Sequence, residues 1–188
     1  MRYAWFVSGP WIAWAIYWQV SARNSKPTRR RESFGSRASH IVPLVLGIAL
    51  IAAPDFPAGW LSRHVLPPAW ATYWSGVAML VAGLCFTVWA RVHLGANWSG
   101  TVTLKEDHEL VRTGPYGWVR HPIYTGLLLA ILGSAVARNE WRALAGFVLA
   151  AASLIRKLRI EERWMRETFG ELYEAYAREV RALVPYIV

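Results

Sequence analysis

Apolar residues mass into uninterrupted blocks separated by short charged stretches, instead of recurring with the period of an amphipathic surface helix. The first block, Tyr3 to Val20, holds no charge. At 1.5 Å per residue such a helix reaches about 27 Å, close to the roughly 30 Å hydrocarbon core of a bilayer. A second block, Ile41 to about Trp60, is interrupted by Pro54, Asp55 and Pro57, and a third, Trp70 to Ala90, ends at Arg91. The fourth, Pro122 to Ala137, and the fifth, Trp141 to Ile155, are separated only by Arg138, Asn139 and Glu140. So short a link predicts an antiparallel helical hairpin. From Arg156 to Val180 the chain is charged, but Phe169, Leu172, Tyr173 and Tyr176 share one helical face, which predicts an amphipathic cytosolic helix interrupted at Gly170. The pattern as a whole predicts an all-α, polytopic membrane protein of about five transmembrane helices, forming one domain over 1–188.

Composition supports that reading. Of the 188 residues 55% are hydrophobic and 18% charged, with 12 Trp and 8 Tyr; soluble domains carry roughly 25% charge, and these aromatic rings favour the membrane interface. The net charge of +9 raises the question of nucleic acid, which the placement of the charge answers. In a five-span arrangement with the N-terminus outside, most Lys and Arg fall on the cytoplasmic side: the cluster Arg23, Lys26, Arg29, Arg30, Arg31 and Arg37, the 91–121 loop and the tail from Arg156. That asymmetry is the positive-inside signature, so no nucleic-acid partner is expected. The same cluster opposes a cleaved signal peptide ending near Val20-Ser21-Ala22. Cys85 stands alone inside an apolar block, which excludes a disulfide framework and predicts a packed side chain.

Candidate chemistry lies in two polar segments that the hairpin returns to one side: the loop from Arg91 to His121 and the tail beginning near Arg156. The loop contains His108-Glu109-Leu110-Val111, then Gly114-Pro115-Tyr116-Gly117, then Arg120-His121-Pro122-Ile123-Tyr124. Pro122 suits the first position of a helix, whose free N–H groups near Ile123 and Tyr124 would favour an anion beside Arg120 and His121. A purely structural role, with Arg120 and His121 capping a span at the interface, remains open from the residues alone. On the other wall Glu161-Glu162 follow Arg156, Lys157 and Arg159; they could bind a cation or hydroxyls, or form i,i+4 salt bridges such as Lys157 with Glu161. The five histidines lack metal-ligand spacing, no nucleotide-binding glycine motif is present, and no metal is expected.

These residues resemble the isoprenylcysteine carboxyl methyltransferase family of integral membrane enzymes. The pattern His-x-Leu-Val-x-x-Gly-x-Tyr-x-Trp-x-Arg-His-Pro-x-Tyr-x-Gly is met by His108 through Gly126, and the later Glu-Glu, Phe-Gly and Tyr-rich stretch by Glu161, Glu162, Phe169, Gly170, Tyr173 and Tyr176. The resemblance covers roughly 91–186, the expected catalytic core, and leaves 1–60 as generic membrane helices. It implies S-adenosylmethionine as cofactor, in a cytosol-facing pocket lined by His108, Glu109, Leu110, Val111, Tyr116, His121, Pro122, Ile123, Tyr124, Glu161 and Glu162. It also implies a lipid-like or prenylated substrate entering from the bilayer, with O-methylation of a carboxylate as the reaction. The family's substrate-contacting arginine falls at Lys157, beside Arg156; lysine keeps the charge and loses the bidentate fork. Phospholipid or amine N-methylation, an NADPH-dependent sterol-type reductase and a non-catalytic membrane scaffold are the competing readings.

Overall fold

The computed structural model describes residues 4–23, 28–53, 59–95, 98, 103–105 and 110–184. Six helices dominate: α1 Trp5–Ala22, α2 Phe34–Ala52, α3 Trp70–Leu94, α4 Pro122–Arg138, α5 Trp141–Phe169 and α6 Glu171–Glu179. Two short strands, β1 Thr28–Arg31 and β2 Thr103–Lys105, pair antiparallel. This ribbon is a small addition to a fold that is otherwise helical, as expected. It joins the segment after α1 to the loop after α3, backbone pairing that no hydrophobic period announces.

Helix α2 starts at Phe34, seven residues before the apolar block, because Ser33 caps it by accepting from the Ser36 N–H. It ends at Ala52, just before Pro54. Helices α2 and α3 are long and apolar enough to cross a membrane, and α4 is apolar but shorter. The expected amphipathic helix is divided differently: α5 runs unbroken from the apolar stretch through Phe169, and Gly170, with φ of 50°, turns the chain into α6. Tyr173 and Tyr176 are buried on the inner face of α6, whereas Leu172 is exposed, so that face is narrower than its sequence period suggests. Cys85 is exposed, not packed.

Close helix contacts rest on glycine. Gly83 of α3 faces Gly126 of α4 so tightly that a Cβ on Gly83 would lie 2.5 Å from the Gly126 carbonyl oxygen, and one on Gly126 2.6 Å from that of Gly83. Gly47 and Gly146 bring α2 against α5 in the same way. Small residues let backbones approach where lipid removes most of the hydrophobic drive between helices. Helix α1 is tied on by side chains: Trp11 Nε1 donates to Ser134 Oγ at 3.0 Å and Trp14 Nε1 to Thr87 Oγ1 at 2.7 Å.

Arginines, buried at Arg91 and Arg142 and half-buried at Arg138, lock the two ends. Arg91 donates to the Ser21 and Gly95 carbonyls, both at 2.6 Å, and lies over the Trp98 ring. At the α4–α5 turn Asn139 takes φ of 54°, while Arg138 and Arg142 pair with Glu140 and reach the Ala53 carbonyl at the end of α2. Sequence counting places Arg91 among the cytoplasmic charges and leaves Arg138 and Arg142 on the other side; each of the three closes backbone carbonyls that the helix ends leave open.

Candidate functional site

The turn Gly114–Gly117 leads into α4. Gly114 has φ of 58°, which favours glycine, and a Cβ there would run into the His93 ring. Pro115 and Tyr116 are buried in this turn, and Tyr176 Oη donates to the Tyr116 carbonyl at 2.5 Å. Leu110, Val111 and Ile123 are half-buried and Pro122 is buried. His108 and Glu109 lie outside the described residues. Thr125 is the first residue of α4 whose N–H bonds back, to the His121 carbonyl at 3.0 Å.

The following segment lies alongside the C-terminal tail. The Arg120 and His121 N–H groups donate to the Arg181 and Ala182 carbonyls at 2.8 and 3.0 Å, and Thr125 Oγ1 donates to that of Leu183 at 2.7 Å. The Arg120 guanidinium also reaches the Ala177 and Val180 carbonyls. These bonds bring α6 and residues 181–183 to the start of α4, about sixty residues earlier in the chain.

Glu162 holds the junction together. Its Oε1 accepts from Arg120 Nε at 3.0 Å, His121 Nε2 at 2.8 Å and Tyr173 Oη at 2.8 Å, and Arg166 lies 2.9 Å from its Oε2. The residue is 5% exposed. Burial alone would raise its pKa, but the hydrogen bonds from His121 and Arg120 hold the carboxyl well below the usual range. Burial beside this charge pushes the Tyr173 phenol up, and burial pushes Tyr176 up to about 12. Glu162 is thus engaged inside the protein, and Arg120 is taken up by it and by the tail, leaving neither as an open wall of a pocket.

Glu161 differs from its neighbour. Tyr124 Oη donates to its Oε1 at 2.6 Å, His121 Nδ1 stands 3.9 Å from its Oε2, and Lys157 Nζ is 4.0 Å from its Oε1. The His121 and Tyr124 rings stack at 5.7 Å, and Lys157 Nζ sits 5.5 Å from the Tyr124 ring centre. Glu161 keeps 22% side-chain exposure. His121, Tyr124, Lys157 and Glu161 therefore meet as one part-buried cluster. Arg156 does not join them: it occupies another face of α5, where its Nε donates to Ser39 Oγ at 2.6 Å.

Sequence reasoning sets Arg120 beside a candidate anion site, where the structure instead commits it to Glu162 and the tail, and leaves the supporting residues Tyr173, Tyr176 and Arg166 out of the site. The signal for the two tyrosines is present, since their spacing matches the buried face of α6. Nothing in the sequence marks Arg112 and Glu179, paired at 2.8 Å, as a further tie between loop and tail.

Residues 76–167 match the sequence profile of the isoprenylcysteine carboxyl methyltransferase (ICMT) family, a stretch that contains both Tyr124 and Glu161. Over that stretch, just under half of its length, the chain is similar to this family. Probable protein-S-isoprenylcysteine O-methyltransferase of Oryza sativa subsp. indica is 28% identical over 134 residues, covering 68% of this chain and 70% of the relative. Protein-S-isoprenylcysteine O-methyltransferase of Schizosaccharomyces pombe is 30% identical over 116 residues, 60% of this chain and 49% of the relative. Steroid 5-alpha-reductase DET2 of Solanum lycopersicum is 27% identical over 119 residues, 63% of this chain and 43% of the relative. The ICMT profile begins at Gly76, so α1 and α2 lie outside it.

Proposed function

We propose that this chain transfers the methyl group of S-adenosylmethionine to the carboxylate of an isoprenylcysteine-like, lipid-borne acceptor at the cytosolic face of a membrane. The observation that carries the reading is the 2.6 Å bond between Tyr124 and Glu161, which joins the two halves of the family pattern at one place. Membrane residence is supported by the two spanning-length apolar helices and by large side chains exposed along the helices, among them Trp5, Ile16, Val45, Trp89 and Val148. The finer reading is one five-span unit with the N-terminus outside and the tail and site in the cytosol, its core 91–186 carried beside 1–60.

The donor set fits the cofactor. A zwitterion bearing a carboxylate, an ammonium, ribose hydroxyls and a sulfonium calls for mixed partners, and the cluster supplies a part-exposed carboxylate in Glu161, an imidazole in His121, the opening turn of α4 and two stacked rings. In this reading Glu161 holds the ammonium or ribose, and His121 with the Ile123 and Tyr124 N–H groups faces the carboxylate. Tyr116 and Pro122 shape the wall, with His108, Glu109, Leu110 and Val111 closing the loop side. Glu162 acts through His121, as a positioning residue. The cofactor supplies an electrophilic methyl on sulfur.

A carboxylate acceptor needs no general base, so the chain's task is to orient it and keep water out; approximation alone contributes about 7–11 kcal/mol in favourable cases. Lys157, beside Tyr124 and Glu161, is positioned to draw the acceptor's negative charge. An amine acceptor would first have to lose a proton, and a nucleotide 2′-phosphate would be repelled by Glu161, so N-methylation and the NADPH reading are not favoured. The test is methyl transfer by the detergent-purified protein from labelled S-adenosylmethionine to a farnesylcysteine analogue and to phosphatidylethanolamine. Label in a base-labile ester of the first is expected; label only in the second would replace O-methylation by N-methylation.

A further inference from the structure

We propose that α5 carries an anionic-phospholipid headgroup site, separate from the Glu161 cluster and formed by Arg156, Arg159 and Arg163. Ala152, Ile155, Arg156, Arg159, Ile160 and Arg163 recur at helical spacing and line a cavity of about 430 Å³ on one side of α5. Lys157, Glu161 and Leu158 occupy the side turned toward Tyr124 and the core. The two sites thus use different faces of the same helix.

Charge and depth identify the occupant. Among the described residues no ion pair engages Arg156, Arg159 or Arg163, and Arg156 is steadied by Ser39 through Nε alone. Three guanidiniums without an opposing carboxylate would repel a choline or ethanolamine head and attract a phosphodiester that carries net charge; the planar fork suits its paired oxygens. With the fifth span ending at Ile155, the Arg156, Arg159 and Arg163 backbones stand about 1.5, 6 and 12 Å beyond it along the helix. The polar layer on each side of a bilayer is about 5–8 Å deep, and long arginine stems bridge the difference. Ala152 and Ile155, at and below the span end, then meet the glycerol and first acyl carbons. The proposal rests on the five-span placement of α5 and is independent of methyl transfer.

The test places the protein in nanodiscs of equal phosphatidylcholine and phosphatidylglycerol, extracts it with mild detergent and measures the lipids that remain bound by native mass spectrometry. The wild type is expected to retain phosphatidylglycerol over phosphatidylcholine at least five-fold. The combined variant Arg156→Gln, Arg159→Gln, Arg163→Gln is expected to fall to near parity, and a charge-matched control, Arg23→Gln, Arg37→Gln, Arg178→Gln, to keep the preference. Should the triple variant fail to fold, Arg159→Gln alone must lose at least half of it. Undiminished preference in the α5 variants, or equal loss in the control, overturns the site. Failure of the wild type to enter nanodiscs at all would instead contradict the membrane placement.

Discussion

Replacing Glu162 by alanine removes one carboxylate from four donors, and the cost follows from how each is left. Arg120 is buried and keeps only the Ala177 and Val180 carbonyls. His121 and Tyr173 lose their 2.8 Å bonds, and Arg166 keeps Glu174 at 2.9 Å. Removing one partner of a buried ion pair costs about 3–5 kcal/mol, mostly because a charge stays behind without compensation. Glu162→Gln retains an acceptor oxygen and loses the charge, so about 1.5–3 kcal/mol is expected. For a chain of this size each kcal/mol lowers the melting midpoint by about 2–4 °C, so the alanine variant should melt about 6–20 °C lower and the glutamine variant less. The assay is thermal unfolding in detergent, paired with limited trypsin digestion at Arg178 and Arg181, where undocking of α6 should speed cleavage in the same order. Midpoints within about 2 °C of wild type, with the tail equally resistant, would refute the view of Glu162 as the junction's anchor.

Acid should reproduce part of that effect. Because the folded state lowers the Glu162 pKa from 4.5, its contribution is fully present above pH 4.5 and is lost as pH falls below it, a limb that the melting midpoint against pH should show in wild type and not in Glu162→Gln. At the alkaline end Tyr176 is raised from 10.0 to about 12 by burial, so the stability tied to its neutral phenol is present below pH 10 and lost as pH rises toward 12; Tyr176→Phe should flatten that limb of the melting curve. Gly126→Val forces side-chain atoms into the Gly83 carbonyl and Thr87, and should lower stability by about 1–3 kcal/mol or more, read as a reduced yield of monodisperse protein. Lys157→Gln should raise the acceptor KM with little change in cofactor affinity, whereas Lys157→Arg should keep the KM near wild type.

Much of the helical order is legible in the sequence because lipid-length apolar blocks leave few other folds. The hairpin between α4 and α5 follows from its three-residue link, and the meeting of Tyr124 with Glu161 follows from the hairpin. What escapes is set by contacts between distant segments. The β1–β2 ribbon, the docking of 181–183 against Arg120 and His121, and the Glu162 junction each depend on backbone or charge partners far away in the chain. Adjacent glutamates look alike in sequence; only the fold distinguishes Glu162, engaged by Arg120 and Tyr173, from Glu161, which keeps a part-exposed edge beside Lys157. Arg156 and Lys157, also neighbours, separate for the simpler reason that successive helix positions point about 100° apart.

Titration of S-adenosylhomocysteine into the detergent-purified protein tests most directly whether Tyr124 and Glu161 form the cofactor's cradle. Wild-type protein should bind it and not NADPH, and Glu161→Gln and Tyr124→Phe should each weaken binding about ten-fold, equivalent to about 1.4 kcal/mol. Unchanged affinity in both variants, with the fold intact, would contradict that cradle.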